Sequence, residues 1–296
     1  MKQCYLCGSA HHSQIADRIR DRDDIAVLKC DDCGLVFLSS FDHITENFYK
    51  ESKIHKGKSS LDILEWIKAT RLDDARRVKM LKWVLNRKNI LDFGAGNCNF
   101  LNEASAFVNQ AVGIEPEIRV RQQLMKKIKG KLKKNPKDHS VTLYENISEI
   151  GSTKFDIITL FHVLEHLPDP RTILSKLKDL IAVNGSMFIE TPNADDALIS
   201  LYKNKPFMDS TYWSCHLFLY TQETLKELAN QSGLQMDCVN QLQRYPLSNH
   251  LYWLAKGKPD GTQEWSSLDS DDMNDSYEAS LASLGKCDTL MGIFST

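Results

Sequence analysis

The chain has no run of about 18 apolar residues, the length that crosses a bilayer. Met1–Ala10 lacks the apolar core of a secretory signal. Neither charge is in excess: 37 Lys and Arg stand against 39 Asp and Glu, for a net charge of −2. Long-range attraction to nucleic acid is therefore not a property of the whole chain. Residues 259–285 contain no Lys or Arg at all, which disfavours a polyanion along that stretch. These absences lead us to expect a cytoplasmic protein with no membrane partner, and they disfavour nucleic acid as one. What is there is ordinary for a globular protein: 296 residues, 42% hydrophobic and 26% charged, room for more than one folding unit.

Cysteine is the exception. Cys4 and Cys7 form one Cys-x-x-Cys pair and Cys30 and Cys33 another, each followed by a glycine. In a reducing compartment two such pairs favour a metal over disulfides. Four thiolates close a tetrahedral site with no open position, so we expect a structural Zn2+ in a small ribbon over residues 1–40. In its loop Arg18, Arg20, Arg22 and Lys29 are balanced by Asp17, Asp21, Asp23 and Asp24, and no phosphate-binding face is expected.

A helical linker or cap is expected over residues 41–88, with Leu72, Ala75, Val78, Leu81, Val84 and Leu85 at helical spacing. From residue 89 strands and helices alternate. Strands are expected at Ile90–Phe93, Ala111–Ile114, Val141–Tyr144, Phe155–Leu160, Ser186–Glu190, Gln235–Leu242 and Thr289–Phe294, with helices between. Alternation of this kind implies an α/β fold with a doubly wound, mostly parallel sheet over 89–296, interrupted by an insertion at about 245–287. A basic helix at Arg119–Lys137 reads as a solvated face.

Leu91-Asp-Phe-Gly-Ala-Gly96 ends the first of these strands. Two glycines behind an acid let the backbone turn tightly and approach a ligand over a helix N-terminus. Glu115, after the second strand, sits where an acid accepts hydrogen bonds from a ribose. A dinucleotide loop wants a third glycine, and this chain lacks it.

The stretch Leu91–Cys98 resembles motif I of class I S-adenosylmethionine-dependent methyltransferases, with Cys98 where a further glycine often stands. Val112-Gly-Ile-Glu-Pro resembles their ribose motif, and Phe155–Pro170, containing His162-Val-Leu-Glu-His166, their fourth-strand motif. Gly185–Asn193 resembles the fifth strand, and the ribbon resembles that of sugar methyltransferases in antibiotic and surface-polysaccharide pathways. The resemblance implies a seven-stranded Rossmann-like methyltransferase sheet and S-adenosyl-L-methionine as cofactor. It implies Asp92, Gly94 and Gly96 at the methionine end, Glu115 on the ribose, Asn146 near the adenine, and Phe161 and His162 flanking the cofactor. It further implies methyl transfer to a small molecule, with O-methylation of a nucleotide-linked or surface-glycan sugar the leading expectation.

On the acceptor side His216 is the candidate base. Related sugar C-methyltransferases carry a histidine there, preceded by glutamate and tyrosine at the positions of Cys215 and Trp213. Trp213, Arg244, Asn249, His250 and Trp253 are candidates for binding a sugar. Sugar C-methylation, and an RNA methyltransferase using its ribbon to bind substrate, are the alternatives.

Overall fold

The structure is a computed structural model that describes residues 3–45, 48–50, 63–124 and 141–296. Most of the expected basic helix lies outside these residues; 118–124 are helical.

The chain forms two compact units. One comprises Met1–Phe41, His162–Leu174 and Ile189–Phe294, the other Asp42–Phe161, Ser175–Phe188 and Ser295–Thr296. Eleven strands are described: β1 (His12–Ala16), β2 (Val27–Cys30), β3 (Val36–Leu38), β4 (Asn89–Phe93), β5 (Gln110–Ile114), β6 (Val141–Tyr144), β7 (Phe155–Phe161), β8 (Ile181–Pro192), β9 (Phe218–Leu219), β10 (Gln235–Leu242) and β11 (Thr289–Ser295). Seven are hydrogen-bonded in the order β10-β11-β8-β7-β4-β5-β6. β4 runs parallel to both β5 and β7, and β5 parallel to β6. The order reverses at β4, so the C-terminal end of that strand is the switch point where a doubly wound sheet binds ligands. β4 reads Asn-Ile-Leu-Asp-Phe with Ile90, Leu91 and Asp92 all buried, as a central strand covered on both faces requires.

The fold is thus the expected Rossmann-like sheet. Of the seven expected strands, the fifth is the one whose extent differs most, running from Ile181 rather than Ser186. Asn184 at φ 61° and Gly185 lie inside it, and this turn-like pair hides the strand's start.

A second, four-stranded sheet has the order β1-β2-β3-β9. Its first three strands are the ribbon. Its fourth comes from the segment just after His216, with Val36 opposite Leu219 and Phe37 opposite Phe218.

Helix α1 (Ile63–Leu85) differs from expectation in its buried face. Leu72 is 84% exposed, whereas the buried stripe is Asp74, Arg77, Leu81 and Leu85. The stripe still has 3.6-residue spacing, but its N-terminal half carries a charged pair. The expected insertion is largely helical, with helices at Leu247–Lys256, Gly261–Glu264 and Asp271–Ser283.

Asp196 caps the short helix Ala197–Ser200 by accepting a 2.7 Å bond from the Leu198 amide. Burial and the nearby Asp288 charge push its pKa up to about 8, from 3.8. The folded state therefore takes up a proton between those values, so stability falls as pH rises through the window. Asp196→Asn keeps a cap acceptor without the charge. It is expected to raise Tm by a few degrees at pH 8.5 and to have no effect near pH 4. Thermal melts at the two pH values check this, and equal shifts at both refute it.

Candidate functional site

The unit containing β4–β7 carries the glycine turn. Gly94 and Gly96 take positive φ, 80° and 50°. The Gly94 and Ala95 amides both donate to the Ile114 carbonyl, at 2.9 and 2.8 Å, which folds the turn back on β5. Cys98, where the resembled motif often has a further glycine, also has positive φ, 57°. The position therefore asks for glycine conformationally, and a buried thiol occupies it at some strain.

Two buried acids flank the turn. Asp92 Oδ1 accepts a 2.7 Å bond from Thr159 Oγ1. Burial raises its pKa to about 7, against that bond and the Arg77 charge. Glu115 is likewise raised to about 7 by burial, although the Glu117 and Gly96 amides donate to it. Those bonds, 2.8 Å to Oε1 and 2.9 Å to Oε2, tie the expected ribose acid to the glycine turn itself. Asn146 caps the 3-10 turn Ile147–Glu149 in a capping box, accepting from the Ser148 amide at 3.0 Å.

Three residues of α1 went unassigned in the sequence. A Cβ on Gly96 would sit 3.1 Å from the Trp66 ring, so the ring covers the turn. Arg77 bonds Asp74 at 3.1 Å, and its guanidinium lies 4.6 Å from the Phe161 ring centroid. Asp74 also accepts from Thr70 and Asn99, and Thr70 accepts from Asn97. This polar network ties α1 to the residues just after the turn. The available signal was Asp74 and Arg77 at i, i+3 on the face shared with Leu81 and Leu85. Phe161 itself packs edge-on to Phe100 at 4.9 Å.

The other unit carries the acceptor candidates and His162, which was expected beside the cofactor. His162 has a left-handed backbone, φ 54°, and its amide donates to the Glu190 carbonyl at 2.7 Å. Its ring Nε2 lies 2.9 Å from Arg244 and 3.1 Å from Glu190, and Nδ1 lies 3.3 Å from Glu165. Glu165 is fully buried. Desolvation pushes its pKa up, but the His162 bond and the His166 charge hold it down at about 2. His166 Nδ1 bonds the Cys215 carbonyl at 2.6 Å, and His216 Nδ1 bonds the Thr211 carbonyl at 3.1 Å. The two imidazoles pack 5.1 Å apart, with Trp213 5.6 Å from His216. Burial and then His166 lower His216 to about 4, so it is neutral at pH 7. With Nδ1–H donated to Thr211, its lone pair is on Nε2.

The remaining candidates part company. Arg244 joins His162, and Trp213 joins His216. His250 is buried between Gln243 and Tyr277, at 2.9 Å from each, and Asn249 is buried beside it. Packing accounts for His250. Trp253 lines a cleft of about 350 Å³ with Arg18, Arg20, Pro206, Lys258 and Pro259. Arg20 stacks on Trp213 at 4.5 Å. Asp209 also lines the cleft, Arg18 pairs with Asp23 and Lys258 with Asp260, while Asp21 turns to Ser214 and Arg22 pairs with Asp24.

The four ribbon sulfurs lie within 4.8 Å of one another, with Cys4–Cys33 at 3.6 Å and Cys7–Cys30 at 3.5 Å. Sulfurs about 3.8 Å apart are what a tetrahedral zinc with 2.3 Å bonds requires, so the donor set fits that ion.

A family model described as a methyltransferase domain matches residues 66–239. The ubiquinone biosynthesis O-methyltransferase of Acinetobacter baylyi is 26% identical over 38% of this chain and 48% of its own length. A tRNA U34 carboxymethyltransferase of Campylobacter jejuni is 29% identical over 42% of each. The chain thus spans about half the length, or less, of these curated relatives. Among solved structures, the magnesium protoporphyrin IX methyltransferase of Synechocystis PCC 6803 is 12% identical, covering 67% of this chain and 91% of that one at TM-score 0.49. No helix among the described residues is long and apolar enough to cross a membrane.

Proposed function

This chain belongs to the S-adenosylmethionine-dependent methyltransferases, and from that premise we propose that it O-methylates a sugar, nucleotide-linked or on a surface glycan. The residues at the glycine turn suit the cofactor: Gly94 and Gly96 take the positive φ that a tight turn needs, and Asp92 and Glu115 place buried acids on either side. Gly94 and Gly96 let the backbone close on the methionine end. Glu115, already bonded to the turn, offers its remaining lone pairs to the ribose. Bound S-adenosylmethionine supplies a methyl carbon on a sulfonium, whose displacement leaves a neutral thioether.

The chemistry left to the protein is to orient a hydroxyl and take its proton. His216 is neutral and presents Nε2 as acceptor. Its Nε2 would take the proton of the acceptor hydroxyl. Glu165, ionised and buried nearby, stabilises the resulting imidazolium. The ribbon cysteines hold a structural Zn2+ on this reading.

The observation that carries the sugar reading is the cleft of Arg18, Arg20, Asp209, Lys258 and Trp253, with three cations to one acid. Cations suit the phosphates of a nucleotide-linked sugar, and an indole suits the face of a ring. Incubation with methyl-labelled S-adenosylmethionine and a fractionated nucleotide-sugar pool is expected to label one sugar species, identified by mass spectrometry. Label appearing instead in a quinol or in total RNA overturns the reading.

A further inference from the structure

We propose that the cysteine ribbon is the positioning element of the acceptor histidines, and that Asp21 is the residue through which it sets the loop carrying His216. The ribbon holds residues 212–219 on both sides of that histidine. Upstream, the Arg20 amide donates to the Tyr212 carbonyl at 2.8 Å, and Arg20 lies over Trp213. Asp21 accepts two bonds from Ser214, 3.0 Å from its amide and 2.6 Å from its hydroxyl. Downstream, the Leu38 amide donates to the Leu217 carbonyl at 3.1 Å, and β3 pairs with β9.

The second histidine is held from the same module. Tyr5 sits inside the first cysteine knuckle. Its hydroxyl donates to Asp169, three residues beyond His166, and accepts from the Arg171 amide at 3.1 Å. The Arg171 guanidinium donates to the Tyr5 carbonyl at 3.0 Å. Within the loop, His166 bonds Cys215, and the Leu217 amide donates to the Glu165 carbonyl at 2.8 Å. The distance between the two imidazoles is therefore set by two anchors in one small module.

Asp21 is the sharpest of these contacts. Its carboxylate is charged, its two bonds are charge-assisted, and they end two residues from His216. Ser214 is 3% exposed, so loss of Asp21 removes two charge-assisted bonds from a buried residue. The loop is held less tightly, and a displacement of about 1 Å at a reacting group costs up to about 100-fold in rate. Asp21 itself lies on an exposed stretch, so its loss leaves the rest of the ribbon in place.

This inference rests on the reading of His216 as the acceptor-side base, but its main readouts need no acceptor. The test uses full-length Asp21→Ala beside the unaltered protein. In the unaltered protein the His216 ring signal is expected not to titrate above about pH 5. In the variant it is expected to titrate near the ordinary 6.5. Amide exchange over residues 212–219 is expected to accelerate at least about tenfold. Affinity for S-adenosylhomocysteine, measured by calorimetry, stays within about twofold. Label transfer into the nucleotide-sugar fraction falls by about tenfold or more. Asp21→Asn, which keeps one acceptor oxygen, is expected to fall between. Tyr5→Phe tests the second anchor, with faster amide exchange expected over residues 166–171. Unchanged His216 titration and unchanged exchange in Asp21→Ala overturn the inference. Failure of the sugar fraction to accept label, with both changes seen, overturns the acceptor reading alone.

Discussion

Gly96→Val is expected to weaken S-adenosylhomocysteine binding by about 100-fold, with the sheet intact. Gly96 sits at φ 50°, where an L side chain costs about 1–2 kcal/mol and a β-branched one more. Its Cβ would also fall 3.1 and 3.3 Å from two atoms of the Trp66 ring. The variant relieves both by pulling the turn out of its left-handed conformation, which separates the Gly96 amide from Glu115. Rebuilding the binding conformation then costs what was relieved, and about 1.4 kcal/mol is a factor of ten in affinity. Gly285→Ala is the matched control. It carries the same kind of strain, φ 69°, with only one atom near the added methyl, at 4.0 Å, and lies in the other unit. Calorimetry is expected to show a large loss for Gly96→Val and none for Gly285→Ala. Affinity within about threefold of the unaltered protein in Gly96→Val would remove the turn from the cofactor site.

The contrast between the turn and its surroundings shows what was legible in the sequence. Strand, turn and helix are local, so Ile90–Gly96 declared itself through apolar residues, an acid and two glycines within seven positions. Val141–Tyr144 and Gln235–Leu242 coincide with β6 and β10 for the same reason. Arg77 and Asp74 were missed because an apolar template for α1 selects Leu72, whereas the buried stripe is decided by what the helix packs against. His250 looked like a sugar ligand because its partners, Gln243 and Tyr277, sit at separations a motif does not encode. The cleft beside Trp253 and the ribbon's grip were hidden most deeply. Asp21 and Ser214 are 193 residues apart, and the ribbon loop's charge count balances until the fold turns Asp21 away from its neighbours.

His216→Ala is expected to lower methyl transfer by about 10²- to 10⁴-fold while S-adenosylhomocysteine affinity stays within about twofold. A sugar hydroxyl is a poor nucleophile until its proton leaves, and among the described residues His216 combines three features that suit it to take that proton. Burial keeps it neutral, its bond to the Thr211 carbonyl fixes the tautomer, and Glu165 supplies a buried negative charge for the cation that forms. A histidine that merely braces the loop predicts a different pattern. Its removal would lower Tm and loosen residues 212–219, and a side chain of similar size would restore turnover. His216→Gln fills much of the volume without a comparable proton acceptor, so it separates the two roles: it is expected to restore thermal stability and leave transfer as low as in His216→Ala. Recovery of turnover by glutamine would make His216 a brace, and would return the question of the base to the cluster of His162, Glu165 and His166.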